Sequence, residues 1–374
     1  MAGKSDYLGV DLSKPLAQQP ATGHNRWHPA IPPALRVDAG DRVTLETRDA
    51  FDGQITSATT SAELPQLSLD VVHPLTGPVA VNGAEPGDLL EVHLLEIEPA
   101  TFGYTAQVPG FGFLRDVFPD PFLVKWTIAD GYATSPDLPG VRVPGASFPG
   151  TIGLAPSREL LQTITRREQA LLEKGGAVLP PSAAGAVPAD PAIAAEAIRT
   201  IAPHETAGNV DVKQLTAGTR LMLPVYEPGA LFSIGDAHFA QGDSECCGTA
   251  IEMCGTFTVE FALRKGLAAQ RGIKDAQFAR DDYYLPPEFA APRRFYATTG
   301  MCIRETGENL SEDATVAARN ALLNMIDYLG YEYGYSRQQA YALCSVAVDL
   351  KVSELVDVPN FVVSAFLPLD VFVS

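Results

Sequence analysis

A β-rich, loop-punctuated chain with one helical excursion is the fold this sequence predicts, and three observations carry that expectation. Apolar and polar residues alternate over short runs such as LLEVHLLEIE, FTVEFALRKG and FYATTGMCI, the two-residue period of strands. Thirty prolines work against long helical bundles. An apolar content of 46% alongside 32 glycines suits a compact chain rich in tight turns. The 374 residues are enough for one large domain or two intimate ones.

Taken in order, residues 1–20 read as an extended, proline-punctuated lead-in. His24, Asn25, Arg26 and His28 then cluster ahead of two short strands. Pro29, Pro32 and Pro33 make that cluster an extended loop, which either projects into a site or pairs with carboxylates at a domain seam. Residues 69–98 read as a hairpin turning at GAEPGD. Within it, His93 is an ordinary strand histidine, and His73, just before Pro74, is structural. The aromatic, glycine-rich stretch 101–126 suits a lid, a small-ligand wall or an oligomer contact. Residues 156–203 change to a helical period in SRELLQTITRREQALLEKGG and again in AAEAIRTIAP, a poor place for chemistry and a good one for a subunit contact.

The segment LMLPVYEPGALFSIGDAHF reads as two strands around Glu227-Pro228-Gly229. Residues 281–296 form a Tyr/Pro-rich loop. SEDATVAARNALLNMIDYLGYEYG is the clearest helix, with Ser311 as N-cap and Gly330 as stop. SRQQAYALCSVAVD continues as a second helix or a helix entering a strand, and VDVPNFVVSAFLPLDVF closes the chain as strand. The expected organisation is therefore a β-rich portion at 1–155, the helical excursion at 156–203 and an α+β portion at 204–374, joined as one intimate unit.

Chemistry concentrates between Ala207 and Gly255. Asp211, Asp236, His238, Asp243, Glu245 and Glu252 lie there among apolar residues, where an unpaired charge would cost several kcal/mol. On a strand from Leu231 to Phe239, Asp236 and His238 face the same way, half of a hard or borderline metal site. Glu252 adds an acid–base group or a further ligand. Glycines at 235, 242, 248 and 255 point to close backbone approach. Cys246 and Cys247 offer a competing nucleophile that Glu245 and a distant lysine would activate, or else small buried thiols.

The net charge of −18, with no Lys/Arg cluster, disfavours nucleic acid and anionic membranes as partners. Five cysteines, no apolar leader and no bilayer-length apolar run point to a reducing, cytoplasmic setting. The P-loop, the G-x-S-x-G elbow, H-E-x-x-H, the dinucleotide fingerprint and paired C-x-x-C spacing are all missing.

Blocks along nearly the whole chain resemble the acetamidase/formamidase family: HNRWHPAIPP, HPLTGPVAVNGAEPGD, IGLAPS, GNVDVKQLTAGT, SIGDAHFAQGD, CGTAIEM and VDVPNFVVS, in the expected order. The helical stretch is similar to that of the longer formamidase branch. Ala30 departs from the acidic residue often found after His-Pro, and Ser244-Glu245-Cys246-Cys247 departs where a glycine usually follows Gly-Asp. The resemblance implies a mainly β, sandwich-like fold with an α+β portion and a helical insertion. It implies a homo-oligomer, a dimer or higher, that hydrolyses short aliphatic amides (formamide, with acetamide next) to carboxylate and ammonia. It further implies a divalent metal, zinc first, held by Asp211, Asp236 and His238. Glu252 would be the general base or an added ligand, and His24 and Asn25 would orient the amide. The alternatives are a cysteine nucleophile at Cys246 or Cys247, and a non-catalytic β-rich small-ligand binder.

Overall fold

The computed structural model describes residues 3–281 and 294–373, so most of the Tyr/Pro-rich stretch expected at 281–296 lies outside the described residues. Two large sheets dominate. The six-stranded sheet runs Ser5–Leu8, Arg42–Thr47, Gly255–Arg264, Leu89–Pro99, Arg220–Pro224, Gln277–Ala279. The eleven-stranded sheet is built around Phe232–His238, with Glu252–Met253 on one side, Phe148–Leu154 on the other and Leu75–Val81 also bonded to it.

The strand Gly255–Arg264 shows why the sheets pack as layers. Its Phe257, Val259 and Phe261 are buried, while Thr256, Thr258 and Glu260 between them are half-exposed, the signature of a sheet with one face on the core. Those residues merge with Val79, Trp126, Phe148, Ile152, Phe232 and Ile234 of the larger sheet in one continuous hydrophobic cluster. Strands from residues 1–155 and from 204–374 interleave in both sheets, as where Arg42–Thr47 and Leu89–Pro99 flank Gly255–Arg264.

A three-stranded sheet, Phe295–Met301, Val362–Pro368 and Asp349–Glu354, carries the helix Ala314–Tyr333. That helix starts two residues later than expected. Asp313, not Ser311, caps it by accepting from the Thr315 and Val316 amides. It runs through Gly330 and stops at Gly334, whose φ of 72° supplies the left-handed turn. The helix Arg337–Ala347 opens with a capping box between Ser336 and Gln339 and does enter a strand.

Two expectations fail for one reason, that local pattern does not say which partner a strand will find. Leu75–Val81 and Leu89–Pro99 are both strands, but they do not form a hairpin. The turn between them passes from the larger sheet to the smaller. The second half of the helical excursion, AAEAIRTIAP, is mostly not helix. After Pro191–Ala194 it forms the short strand Ile198–Arg199, which pairs with Arg26–Trp27. Pairing across the chain there outweighs the alanine-rich helical bias. The long helix of the excursion, Arg158–Leu172, is capped by Ser157 and forms as expected. Among the described residues, no helix is long and apolar enough to cross a membrane.

Candidate active site

The strand Phe232–His238 is buried along its whole length and delivers Asp236 and His238. Asp236 does not sit on a regular pleat, because its φ of 56° is left-handed. Asp211 (47°) and Glu245 (47°) share that unusual backbone. Aspartate tolerates the left-handed region better than most residues, yet three such positions in one cluster are the kind of stored strain that gathers at functional sites. Glu252 is the direct cross-strand neighbour of His238, so their side chains meet. Asp211 arrives from the end of Ala207–Asn209, its amide donating to the Gly150 carbonyl at 3.1 Å.

The cluster is tight. His238 Nε2 lies 3.2 Å from Glu252 Oε2, 3.4 Å from Asp236 Oδ1 and 3.8 Å from Glu245 Oε1. Thr151 donates to Asp236 Oδ2 at 3.1 Å. The Gln241 Oε1 lies 3.0 Å from His238 Nδ1, and its Nε2 donates to the Asp211 carbonyl at 2.9 Å. With Nδ1–H given to Gln241, His238 Nε2 faces the carboxylates, the arrangement by which an outer partner orients a metal-ligating imidazole. Phe148 packs edge-on against the same ring at 5.1 Å.

His73 was read from sequence as structural, and the structure places it in this site. Its Nε2 lies 3.9 Å from Asp236 Oδ2 and its ring lines the same chamber. Gly235 makes that approach possible, because a Cβ there would stand 2.6 Å from the Pro74 carbonyl. Gly150 was missed too. A Cβ on it would stand 2.6 Å from Asp236 Oδ2, 2.6 Å from His238 Cε1 and 2.8 Å from Asp211 Oδ1. Three expected ligands thus converge on one point that only glycine leaves open. A His73-Pro74 pair and one glycine among 32 carry no local mark of this.

The electrostatics ask for a cation. Burial pushes Glu252 up to about 7, with His238 opposing and Asp236 adding to the rise. Burial likewise pushes Glu245 up to about 8, against His238 and with help from Glu252. Asp211 is driven well above the carboxylate range by burial and by Glu245. Burial works against the Asp236 charge as well, but His73 and His238 hold its carboxyl well below the usual range. Burial also opposes a charge on His238, yet Glu252 and Asp236 outweigh it and hold the ring well above the usual imidazole value. Burial lowers His73, with the Asp236 charge opposing. Four buried carboxyl groups thus crowd one imidazole, and each is kept from bare burial only by a proton or by a further positive charge. Asp211 Oδ1, Asp236 Oδ1, His238 Nε2 and Glu252 Oε2 are enclosed and make no hydrogen bond. Two sets, Asp211/His238/Glu245 and Asp236/His238/Glu252, bring ligand atoms within 4.8 Å of one another. Oxygen and imidazole donors of this kind suit zinc or a similar divalent ion.

His24 and Asn25 are not brought to this cluster. His24 Nε2 lies 2.7 Å from Ser233 Oγ, and the Asn25 amide clips the excursion by donating to the Gly185 carbonyl and accepting from the Val187 amide. Arg26, fully buried, pairs with backbone carbonyls of Asn25, Asp70, Ser182 and Ala184 and not with carboxylates. The HNRWHP block is therefore a clamp that seats residues 182–187. Asp243 turns away to Lys213 and receives no share of the site. Cys247 lines the chamber, but burial, with a smaller contribution from Glu245 and against hydrogen bonds from Ser345 and Thr249, pushes its thiol up to about 11. Burial likewise drives Cys246 well above the thiol range. Glu245 therefore disfavours the thiolate it was expected to promote.

Burial of His24 has a consequence for acid stability. Desolvation lowers it to about 4, with a hydrogen bond to the Arg26 backbone opposing, while an unfolded histidine titrates near 6.5. Between those values the unfolded chain binds the extra proton, so stability is full above about pH 6.5 and falls as pH drops towards 4. This residue alone accounts for a loss of about 3 kcal/mol over that window. In His24→Gln, urea midpoints measured from pH 7 to 4 should show a shallower slope than the parent, and an unchanged slope would contradict the assignment.

Around the cluster lies an inner chamber of about 130 Å3 lined by His73, Asp211, Asp236, Glu245, Cys247 and Glu252, with Phe51 and Phe111 as apolar wall. It adjoins an outer cavity of about 760 Å3 whose walls include Glu168, Leu171, Arg199, Ile201 and His204. The excursion expected to be remote from chemistry thus supplies one side of the approach to the site.

The chain matches the sequence profile of the acetamidase/formamidase family over residues 9–374. It is 36% identical to a formamidase of Methylophilus methylotrophus, across 97% of this chain and 92% of that one. It is 37% identical to an acetamidase of Mycolicibacterium smegmatis, across 90% and 88%. Among solved structures, a gamma lactamase from Delftia acidovorans superposes with a TM-score of 0.92 at 37% identity, covering 98% of this chain and 93% of that one.

Proposed function

The chain belongs to the acetamidase/formamidase family, and from that premise and the buried acidic cluster we propose that it hydrolyses short aliphatic primary amides, formamide first, with a divalent cation at Asp211, Asp236 and His238. The overall reaction takes one amide and one water to a carboxylate and ammonium. The observation that carries the proposal is the convergence of Asp211 Oδ1, Asp236 Oδ2 and the His238 ring on the space beside Gly150. A divalent cation held there would supply Lewis acidity for the carbonyl and would activate water near neutral pH.

The chain's own residues do the rest. Glu252 is anchored through Oε1, which accepts from the Ala250 amide at 2.8 Å, and its Oε2 faces His238 Nε2 at 3.2 Å. A carboxyl so placed is positioned to take a proton from water and return it to the departing nitrogen. His73 and Thr151 hold Asp236 in place, and Gln241 holds His238. Phe51, Val72, Ala106 and Val108 shield the chamber from bulk water. Glu252→Gln keeps the shape and removes the proton acceptor. Ammonia release from formamide should fall roughly 10²–10⁴-fold with cation content retained. Turnover near the parent rate would remove Glu252 from the mechanism.

A further inference from the structure

We propose that the outer cavity is a binding site for an uncharged apolar acyl body, so that the enzyme also takes primary amides whose carbon chain extends beyond the inner chamber. The inference rests on the amide-hydrolase reading above. The inner chamber, at about 130 Å3, has room for a carboxamide and little more. The outer cavity, at about 760 Å3, lies in the size range of sites that engulf whole small molecules. Leu69, Phe111, Ile201, Glu245 and Gly248 line both, so the two spaces lie side by side across these residues. An amide whose head reaches Glu252 and whose chain passes between Phe111 and Ile201 has its carbon body in the outer space.

The chemistry of that wall selects the body. Leu69, Phe111, Leu171, Val178, Leu179 and Ile201 give it an apolar surface that formamide cannot use. Three of the wall's charged groups have neighbours of their own. Arg199 donates to the Leu69 carbonyl and lies 3.7 Å from Asp70, His204 faces Glu168 at 3.5 Å, and Arg115 donates to the Gly112 carbonyl at 3.1 Å. A neutral aliphatic chain meets the leucine, valine and isoleucine side chains of the wall. Leu171 and Leu179, 49% and 39% exposed, form the lip where such a chain would displace water.

The test is kcat/KM for ammonia release by the full-length protein with formamide, acetamide, butyramide and hexanamide. From butyramide on, each added methylene should raise kcat/KM about fourfold, the fold-change equivalent to burying one methylene. Ile201→Asp should reduce the hexanamide-to-formamide ratio of kcat/KM at least tenfold. Leu179→Asp, at the exposed lip where folding is not at risk, should reduce the same ratio. A kcat/KM that falls steadily with chain length while formamide is turned over would overturn the inference and leave the amidase reading intact. Ammonia release from no member of the series would overturn the amidase reading. The outer site is then judged by calorimetry: hexanamide binding tighter than formamide, and weakened in Leu179→Asp, sustains it, and equal affinities overturn it.

Discussion

Alanine in place of His238 should remove the bound cation and the amidase activity together. His238 is the residue both candidate ligand sets share, and its Nε2 lies within 3.8 Å of Asp236, Glu245 and Glu252. Losing an outer partner of a metal-bound imidazole costs roughly 10–100-fold in affinity, so loss of the imidazole itself should cost more than about 100-fold. The change also removes the cationic partner that Asp236, Glu245 and Glu252 share, so those carboxyls should rise further and the cluster should take up protons. Metal content and ammonia release measured on one sample decide the matter. Full turnover in His238→Ala would end its assignment as a ligand, and loss of turnover with metal retained would shift its role to proton transfer.

Gly150→Ala should be as damaging with a single added methyl. Its backbone does not need glycine's conformational freedom, because Gly150 is absent from the left-handed positions of the chain. What it needs is space. The new Cβ would stand at 2.6 Å from an Asp236 oxygen and from the His238 ring, and at 2.8 Å from an Asp211 oxygen. Carboxylate tips can give way by tenths of an ångström, so the fold should lose only about 1–3 kcal/mol, in line with overpacking elsewhere. The site itself would be filled where the three ligands converge. The expected result is a cooperative thermal transition lowered by a few degrees, with cation binding and turnover abolished. Parent-like turnover in a folded Gly150→Ala protein would mean that the ion does not sit beside this strand.

Much of the site was legible because its core is local. Asp211, Asp236, His238 and Glu252 fall in one short stretch, and alternation alone marks the strand that carries two of them. Asp236 and His238 do lie together, 3.4 Å apart, although the left-handed Asp236 interrupts the pleat. What the sequence concealed depends on contacts made across the chain. His73 becomes a site residue only because Gly235 lets the Pro74 segment lie against the central strand. Glu245 contributes through a turn whose backbone is unusual for a glutamate. His24 and Asn25 mislead in the opposite sense, since polar residues packed before a proline run mark a buried clamp as readily as a site. The strands at 75–81 and 89–99 were found, but their division between two sheets is written in no local pattern.

Ammonia release from formamide, followed with metal content on the same protein before and after chelator treatment, tests the central claim most directly. Loss of turnover on stripping, and its return with one divalent ion, is the predicted result. Undiminished turnover in protein shown to be free of metal would contradict it and turn attention to the buried thiol of Cys247 in the same chamber.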